Sequence, residues 1–297
     1  MTKKVSLREL AQNLGVSRSS LYYQPKRSEQ DEKLRRLIES VMIKNPGYGH
    51  RRVAIALGIN RKRALRVMKK FNLKPARRAK APRKPDDLKK ADAGYPDMTK
   101  VLSAITPQFL WRSDFTFINF HGQFVYFATV IDDFTCEVLG ISIMTRHTAA
   151  LTLGALEDAL KKTEQLPTWF HSDQGSEYTA FEFIEMLISF GISISMNPKA
   201  SPWRNGSQES FFGRFKVEFG DPDRFDILPE LIEAIYGYVS YYNQERIHTC
   251  LRMSPLQFKT NWETSQRNLL TDKLPLPLPQ QKINLHICTR LNDLSMT

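Results

Sequence analysis

The stretch that decides the fold is "FLWRSDFTFINFHGQFVYFATVIDD", residues 109–133. Two runs rich in aromatic and β-branched residues flank His121 and Gly122, and this pattern predicts a β-hairpin with a tight turn. A third run of the same kind, "CEVLGISIM" at residues 136–144, follows closely. We therefore expect an antiparallel meander of three strands.

Helices and strands alternate after the meander. The order β-β-β-α-β-α-β, followed by further helices, predicts an α/β protein with a mixed sheet and helices packed on its faces. The second of these helices follows the strand "TWFHSD" and is expected to turn three residues inward, namely Phe181, Ile184 and Ile188. An amphipathic helix is predicted over residues 228–242. The tail after Thr264 is Leu-Pro-rich and shows no clear period.

The distribution of charge separates the chain into two parts. Residues 1–100 contain 27 Lys and Arg against 9 Asp and Glu, whereas the net charge of the whole chain is +12. So lopsided a distribution favours a polyanionic partner, most simply nucleic acid. The chain has neither a membrane-length apolar run nor an N-terminal signal core, so a soluble intracellular protein is expected. The three cysteines form no CxxC pair and indicate neither a disulfide framework nor a zinc site.

The basic part contains an internal repeat. "AQNLGVSRSSL" at residues 11–21 and "AIALGINRKRAL" at residues 54–65 share Ala-x-x-Leu-Gly followed by an apolar residue, a capping residue and Arg. In each copy a glycine suits a left-handed turn, and Ser17 or Asn60 can cap the next helix. This spacing predicts two helix-turn-helix units whose outward basic residues contact DNA. The contacts predicted from the repeat are Arg18, Arg61, Lys62 and Arg63.

Three carboxylates stand out by position. Asp114 lies within a predicted strand, where a carboxylate is costly unless that face opens onto water or a metal. Asp173 ends a strand, at the edge where ligand sites gather in such sheets. Glu209 opens a helix whose stripe of Phe211, Phe212, Phe215 and Phe219 would pin it to the body, with Asn205 and Gln208 predicted to form a capping box.

Such a set suits hard cations. Two Mg²⁺ ions about 3.5–4 Å apart can activate an attacking oxygen and stabilise a leaving oxygen in phosphodiester chemistry, and carboxylates are their preferred protein ligands. Without cations, two carboxylates about 4 Å apart repel by about 4 kcal/mol at an effective dielectric near 20. The cluster is therefore costly unless it binds metal.

Other polar residues have simpler interpretations. Asp132 and Asp133 are predicted to cap a turn, and Glu177 to cap the following helix. His171 lacks a second histidine at ligand spacing, so a structural role beside the site is preferred. Trp203 either stacks on a base or anchors its loop.

Motifs along the chain also resemble a known family. "WRSDFTFI", "IDDFTCEVLG", "HSDQGSEY", "NGSQESFFGRFKVE" and "YYNQERIHTCLRMSPLQF" are similar, in order, to landmarks of the DDE transposases of bacterial insertion sequences. The resemblance is to the second-frame product of the two-frame group, which is related to retroviral integrases. Asp173 and Glu209 have 35 residues between them, as in that family. "LGVSRSSLYY" and "GYGHRRVAIAL" also resemble its N-terminal region. Where relatives usually read Asp-Asn-Ala before the glutamate helix, this chain has Arg204-Asn205-Gly206.

The resemblance implies an RNase H-like catalytic core preceded by small all-α helix-turn-helix modules. It implies that Asp114, Asp173 and Glu209 bind two Mg²⁺ ions, with Mn²⁺ as a substitute. Water would cleave DNA at the transposon end, and the freed 3′-hydroxyl would attack a second phosphodiester. The implied DNA contacts are Lys216 near the metals, Arg246 and His248 in "YNQERIH", and Arg51 and Arg52 in "GYGHRRVAIAL".

The predicted domains are a helix-turn-helix over residues 1–28, a second helical DNA-binding module over residues 29–78 and a basic linker over residues 79–106. A catalytic core over residues 107–264 and a tail over residues 265–297 follow. Expected partners are transposon ends, target DNA and further copies of the chain in a synaptic complex, with an upstream small helix-turn-helix protein of the same element. The expected location is the bacterial cytoplasm, at the nucleoid, and no membrane partner is expected. Two alternatives stay open: a non-catalytic DNA-binding regulator, and an RNase H-type nuclease that hydrolyses without joining.

Overall fold

A five-stranded mixed sheet lies at the centre of the chain in the computed structural model, which describes residues 6–22, 26–77, 94–98, 104–197 and 206–271. Its strand order is β3-β2-β1-β4-β5. Strands β1, β2 and β3 form the antiparallel meander, and β4 and β5 run parallel to β1. The predicted mixed sheet is confirmed. The strands are β1 Leu110–Phe120, β2 Gln123–Asp132, β3 Val138–Met144, β4 Trp169–Ser172 and β5 Ser193–Met196.

Helices flank the sheet and precede it. His121 and Gly122 have φ values of 47° and 80°, which is the left-handed turn that the hairpin requires. The helices are α1 Leu7–Asn13, α2 Arg18–Leu21, α3 Lys26–Lys44, α4 His50–Ala56, α5 Arg61–Lys70, α6 Ala149–Lys162, α7 Phe181–Ser189, α8 Gly206–Glu218, α9 Leu228–Gln244 and α10 Pro255–Thr271. Within the described ranges, none is long and apolar enough to cross a membrane.

The two faces of the sheet bury separate apolar clusters. On one face, the phenylalanines of α8 pack with Phe127 of β2 and with Leu231 and Ile235 of α9. On the other, α6 and α7 pack over Trp111 and Val130. The phenylalanine stripe predicted for α8 is therefore the element that fixes this helix on the sheet.

The inward face of α7 differs from the prediction. Phe181 is 75% exposed and Ile188 is 64% exposed, whereas Phe183 and Leu187 are fully buried. The reason is aromatic packing, since the Phe183 ring contacts the rings of Phe170 and Tyr178 edge-on. These contacts set the rotation of the helix and turn Phe181 and Ile188 outward.

The N-terminal helices have the turns that the repeat predicts. Gly15 and Gly58 adopt φ values of 63° and 61° before α2 and α5. The Ser17 side chain accepts a hydrogen bond from the backbone of Ser20, and the Asn60 side chain accepts one from the backbone of Lys62. Both capping residues therefore act as their positions in the repeat indicate.

The helical part packs directly on the sheet part, and residues 1–258 form one compact unit while residues 259–297 form a second. The Tyr241 hydroxyl donates to Asn45 Oδ1, and the backbone N–H of Ile247 donates to the hydroxyl of Tyr48. Gly47 passes so close to α8 that a Cβ there would lie 2.9 Å from Glu218 Cγ and 3.0 Å from its Cδ. This close approach requires glycine at position 47.

Candidate active site

Asp114 lies on the face of β1 that packs against α8. It stands opposite Thr129 of β2, and its Oδ1 accepts a 2.8 Å hydrogen bond from the backbone N–H of Phe115. Asp114 itself is half-buried. The carboxylate is therefore held by the strand at the level where α8 begins.

Asp173 follows β4 on the neighbouring strand. Because Arg112 of β1 is in register with His171 of β4, residues two positions further along each strand, Asp114 and Asp173, reach the same level. Asp173 is exposed, and its Oδ1 accepts a 2.9 Å hydrogen bond from the backbone N–H of Gly175. The parallel pairing thus brings these carboxylates to one end of adjacent strands.

Glu209 lies in the first turn of α8 and is exposed. The residue before it anchors the helix to the sheet. Fully buried Gln208 accepts a 2.9 Å hydrogen bond from the Thr129 hydroxyl and donates a 2.7 Å hydrogen bond to the Arg112 carbonyl. These bonds fix the helix turn that carries Glu209 onto β1 and β2. The capping box predicted for Asn205 and Gln208 stays a prediction, because Asn205 lies outside the described residues.

Electrostatics link the three carboxylates. The pKa of Asp114 is raised to about 7, first by loss of water around the carboxyl and then by the charge of Asp173, with a smaller contribution from Glu209. The pKa of Asp173 is also raised, first by partial loss of water and then by the charge of Glu177. Asp114 therefore lies within interaction range of both Asp173 and Glu209.

The donor set fits a divalent cation by chemistry. Carboxylate oxygens are the ligands that Mg²⁺ prefers, and a bound cation would relieve the repulsion that adds to the effect of burial on the pKa of Asp114. In the described part of the chain, no group of three or more His, Cys, Asp or Glu side chains is close enough together to hold a metal ion. The carboxylates share one region but do not form a closed ligand shell.

The neighbouring polar residues have structural partners. Asp132 accepts hydrogen bonds from the backbones of Phe134 and Thr135, so its predicted role as a turn cap is confirmed. The Asp133 carboxylate forms an ion pair with Arg112. Fully buried His171 hydrogen-bonds through Nδ1 to Ser195 and through Nε2 to Asn197, so it has the structural role that was predicted.

Glu177 differs from its predicted role. It does not cap α7, because its carboxylate is 2.8 Å from Nδ1 of His147 and accepts a 3.0 Å hydrogen bond from the Ser176 hydroxyl. Asn205, Trp203, Cys288 and most of the predicted linker lie outside the described residues.

The residues predicted to contact DNA divide into exposed and inward-facing groups. Lys216 is half-buried on α8, with its ammonium 5.0 Å from the centre of the Phe117 ring, and His248 is half-buried. Arg52 is 9% exposed and donates from Nη1 to the Gly47 carbonyl at 3.1 Å. The exposed residues are Arg18, Arg51, Arg61, Lys62 and Arg63.

Arg246 is not available to DNA in this structure. Its side chain is 1% exposed, and its guanidinium forms two hydrogen bonds, of 2.6 and 2.8 Å, with the Glu218 carboxylate at the end of α8. The Glu218 side chain is 3% exposed and also accepts a 3.1 Å hydrogen bond from the Tyr238 hydroxyl. Because of this buried ion pair, the prediction that Arg246 contacts DNA is wrong for this structure. It holds the C-terminal end of the helix whose N-terminal end carries Glu209.

The chain is similar to known proteins. The family described as Integrase core domain matches residues 106–202, and a second family with the same description matches residues 209–262. One relative is InsK, the transposase for insertion sequence element IS150 of Escherichia coli (strain K12). It is 31% identical to this chain over 268 residues, which cover 85% of this chain and 93% of that protein. The transposase for insertion sequence element IS904 of Lactococcus lactis is 30% identical over 165 residues, covering 54% of this chain and 65% of that protein.

A solved structure of the HTLV-2 integrase catalytic core domain in complex with magnesium is 20% identical, with a TM-score of 0.45. It covers 53% of this chain and 99% of that chain.

The sheet order and the integrase core domain define an RNase H-like polynucleotidyl transferase. The chain belongs to the DDE transposases of bacterial insertion sequences, as its motifs predict. It is an enzyme of DNA cleavage and strand transfer, and the two alternative functions are not favoured.

Proposed function

We propose that Asp114, Asp173 and Glu209 form the catalytic centre of this transposase and hold two Mg²⁺ ions, with Mn²⁺ as a substitute. The observation that carries the proposal is the parallel pairing of β1 with β4, which brings Asp114 and Asp173 to one end of adjacent strands, where Gln208 anchors the first turn of α8. Bound divalent ions would supply activation of the attacking oxygen and charge stabilisation of the leaving oxygen. The chain itself supplies the positions of the three side chains, from two paired strands and one anchored helix.

The proposed reaction has two phosphoryl transfers. In the first, a water oxygen forms a bond to phosphorus at the transposon end, the bond from phosphorus to the 3′ oxygen breaks, and that oxygen leaves as a hydroxyl after gaining a proton. In the second, the 3′-hydroxyl oxygen forms a bond to a target phosphorus, a target 3′ oxygen leaves, and the proton passes to it. Lys216, on the same helix as Glu209, is proposed to contact a phosphate at the transposon end.

The exposed basic residues of the N-terminal helices are proposed to bind DNA. Arg61, Lys62 and Arg63 occupy the first turn of α5 and are exposed to solvent, as phosphate contacts require. Replacing one phosphate-contacting member with Gln should reduce the slope of log affinity against log salt by about 0.9. An unchanged slope for all three single variants would remove this turn from the DNA interface.

The roles of the domains and the assembly of the complex are proposed from the resemblance to the DDE transposases of bacterial insertion sequences. The helical modules over residues 1–28 and 29–78 would bind transposon ends, the core over residues 107–264 would react, and copies of the chain would join in a synaptic complex. Residues 79–106 would link them, and residues 265–297 would form a tail. A small upstream helix-turn-helix protein of the same element is a further proposed partner, and the nucleoid in the cytoplasm is the proposed place of action.

Strand-transfer assays with labelled transposon-end oligonucleotides and Mg²⁺ test the proposal. Asp173→Asn should abolish cleavage and joining while end binding stays at the wild-type level. Asp226→Asn, which changes an exposed aspartate before α9, is the matched control and should keep all three activities. Cleavage by Asp173→Asn at the wild-type rate would refute the proposed centre. Binding alone from the wild-type protein would indicate a regulator, and cleavage without joining a nuclease.

A further inference from the structure

A small cavity lies on the side of α8 next to the catalytic helix turn, between the helical part and the sheet part of the same compact unit. Its volume is about 150 Å³. The polar residues that line it are Arg52 of α4, Ser210 and Arg214 of α8, and Arg246, His248 and Thr249 after α9. Three separate segments of the chain therefore meet around one basic recess.

The cavity carries an excess of positive charge. Its lining contains three arginines and no Asp or Glu. Arg246 is neutralised by Glu218, but in the described ranges no carboxylate forms an ion pair with Arg52 or Arg214. A wall with two unneutralised guanidinium groups favours an anion.

Two buried nitrogen atoms of the lining have no hydrogen-bond partner within the described residues: Nε of Arg52 and Nδ1 of His248. Arg52 is only 9% exposed, so bulk water does not supply the missing hydrogen-bond partner of its Nε atom. Buried polar groups are nearly always hydrogen-bonded, and a pair of orphaned groups at one cavity indicates an acceptor that binds there. With a proton on Nδ1, both groups are donors.

The positive groups also repel one another. Burial and then the charges of Arg246 and Arg214 lower the pKa of Arg52 to about 10. Burial and the charges of Arg246, Arg52 and Arg214 lower the pKa of His248 to about 4. An anion in the cavity would relieve this repulsion, and a guanidinium fork matches the oxygens of a phosphate group.

We propose that this cavity, which we name the basic recess, binds one phosphate group between Arg52, Arg214 and His248. The bound phosphate would join α4 of the DNA-binding part to α8 of the catalytic part. The group can belong to the DNA backbone or be free inorganic phosphate, and the experiment separates these two sources. The first source rests on the proposed function, whereas phosphate binding itself does not.

Arg214→Gln tests the recess, because the residue is exposed as a whole and tolerates substitution. Arg146→Gln, an exposed arginine between β3 and α6, removes the same charge elsewhere and is the control. Isothermal titration of the full chain with inorganic phosphate, at constant ionic strength, should give one site for the wild type. Arg214→Gln should weaken it by about 10- to 100-fold, as expected for loss of a charge-assisted hydrogen bond. The control should bind as the wild type does.

The second arm uses transposon-end DNA. If the source is DNA, phosphate competes with the oligonucleotide, and Arg214→Gln lowers the salt slope by about 0.9 relative to the control. If the source is free phosphate, DNA affinity and slope match those of the control while phosphate binding is lost. Equal phosphate binding by wild type and Arg214→Gln, or no binding by either, would overturn the proposal. Asp173→Asn should bind phosphate as the wild type does. A failure of the proposed catalytic centre can therefore be distinguished from a failure of the basic recess.

Discussion

Replacing Glu218 with Gln should destabilise the protein strongly, because it leaves the Arg246 guanidinium buried beside a neutral amide. The two side chains are 3% and 1% exposed, so water cannot solvate the uncompensated charge. The wild-type carboxylate accepts two hydrogen bonds from Arg246 and one from the Tyr238 hydroxyl. The amide has only one acceptor oxygen for these three donors.

Loss of one partner from a buried ion pair costs about 3–5 kcal/mol. We expect Glu218→Gln near the lower end, about 3 kcal/mol, because the amide oxygen keeps one hydrogen bond. Glu218→Gln combined with Arg246→Met should be more stable than Glu218→Gln alone, because the double variant buries no unpaired charge.

Urea unfolding followed by tryptophan fluorescence measures the free energy of unfolding of each variant. Glu29→Gln is the control, since it breaks the ion pair between Glu29 and Lys33, whose side chains are 78% and 75% exposed. The control should unfold at the wild-type urea concentration. If Glu218→Gln also unfolds there, the buried pair does not hold the end of α8, and our account of how the helix is fixed is wrong.

Two further predictions concern buried polar groups. Gln208→Ala leaves the Thr129 hydroxyl and the Arg112 carbonyl without this partner, so the free energy of unfolding should fall by about 1–3 kcal/mol for each group that stays unsatisfied. DNA cleavage should fall with it, and normal stability in urea would contradict the anchoring role. Asp31, which is 2% exposed, has its pKa lowered by its hydrogen bond from Arg66. Because the pKa is lowered in the folded state, the ionised Asp31 carboxylate stabilises the protein above about pH 3.8, the ordinary pKa. This stabilisation is lost as the pH falls from there through the lowered pKa. Asp31→Asn should therefore be less stable than the wild type at neutral pH, and the gap in urea unfolding should close in acid.

The sequence predicts the sheet because its signals are local. The run around His121 and Gly122 contains the strands and the turn of the hairpin, and the glycines of the repeat mark the ends of short helices. The alternation of helices and strands predicts a mixed sheet, and the strand order β3-β2-β1-β4-β5 adds two parallel strands to the antiparallel meander. The positions of Asp114 and Asp173 are predictable for the same reason, since each is defined by its place on a strand.

The predictions fail, or give no information, where the contacts of a side chain depend on residues that are distant in the chain. The bonds from Gln208 to Arg112 and Thr129, which are distant in the chain, could not be predicted from the spacing of residues around α8. Arg246 lies in a motif rich in polar residues, and only the folded chain brings Glu218 to it. The rotation of α7 was set by rings from other elements, which periodicity within one helix does not report.

Glycine at position 47 limits how this chain can exchange segments with its relatives. A hybrid that takes its first 77 residues from another transposase would bring a new side chain toward a carboxylate that its own arginine already immobilises. Only donors that also lack a side chain at the equivalent position would fit. Compatibility between the two halves thus depends on one missing methyl group more than on the similarity of their DNA-reading surfaces.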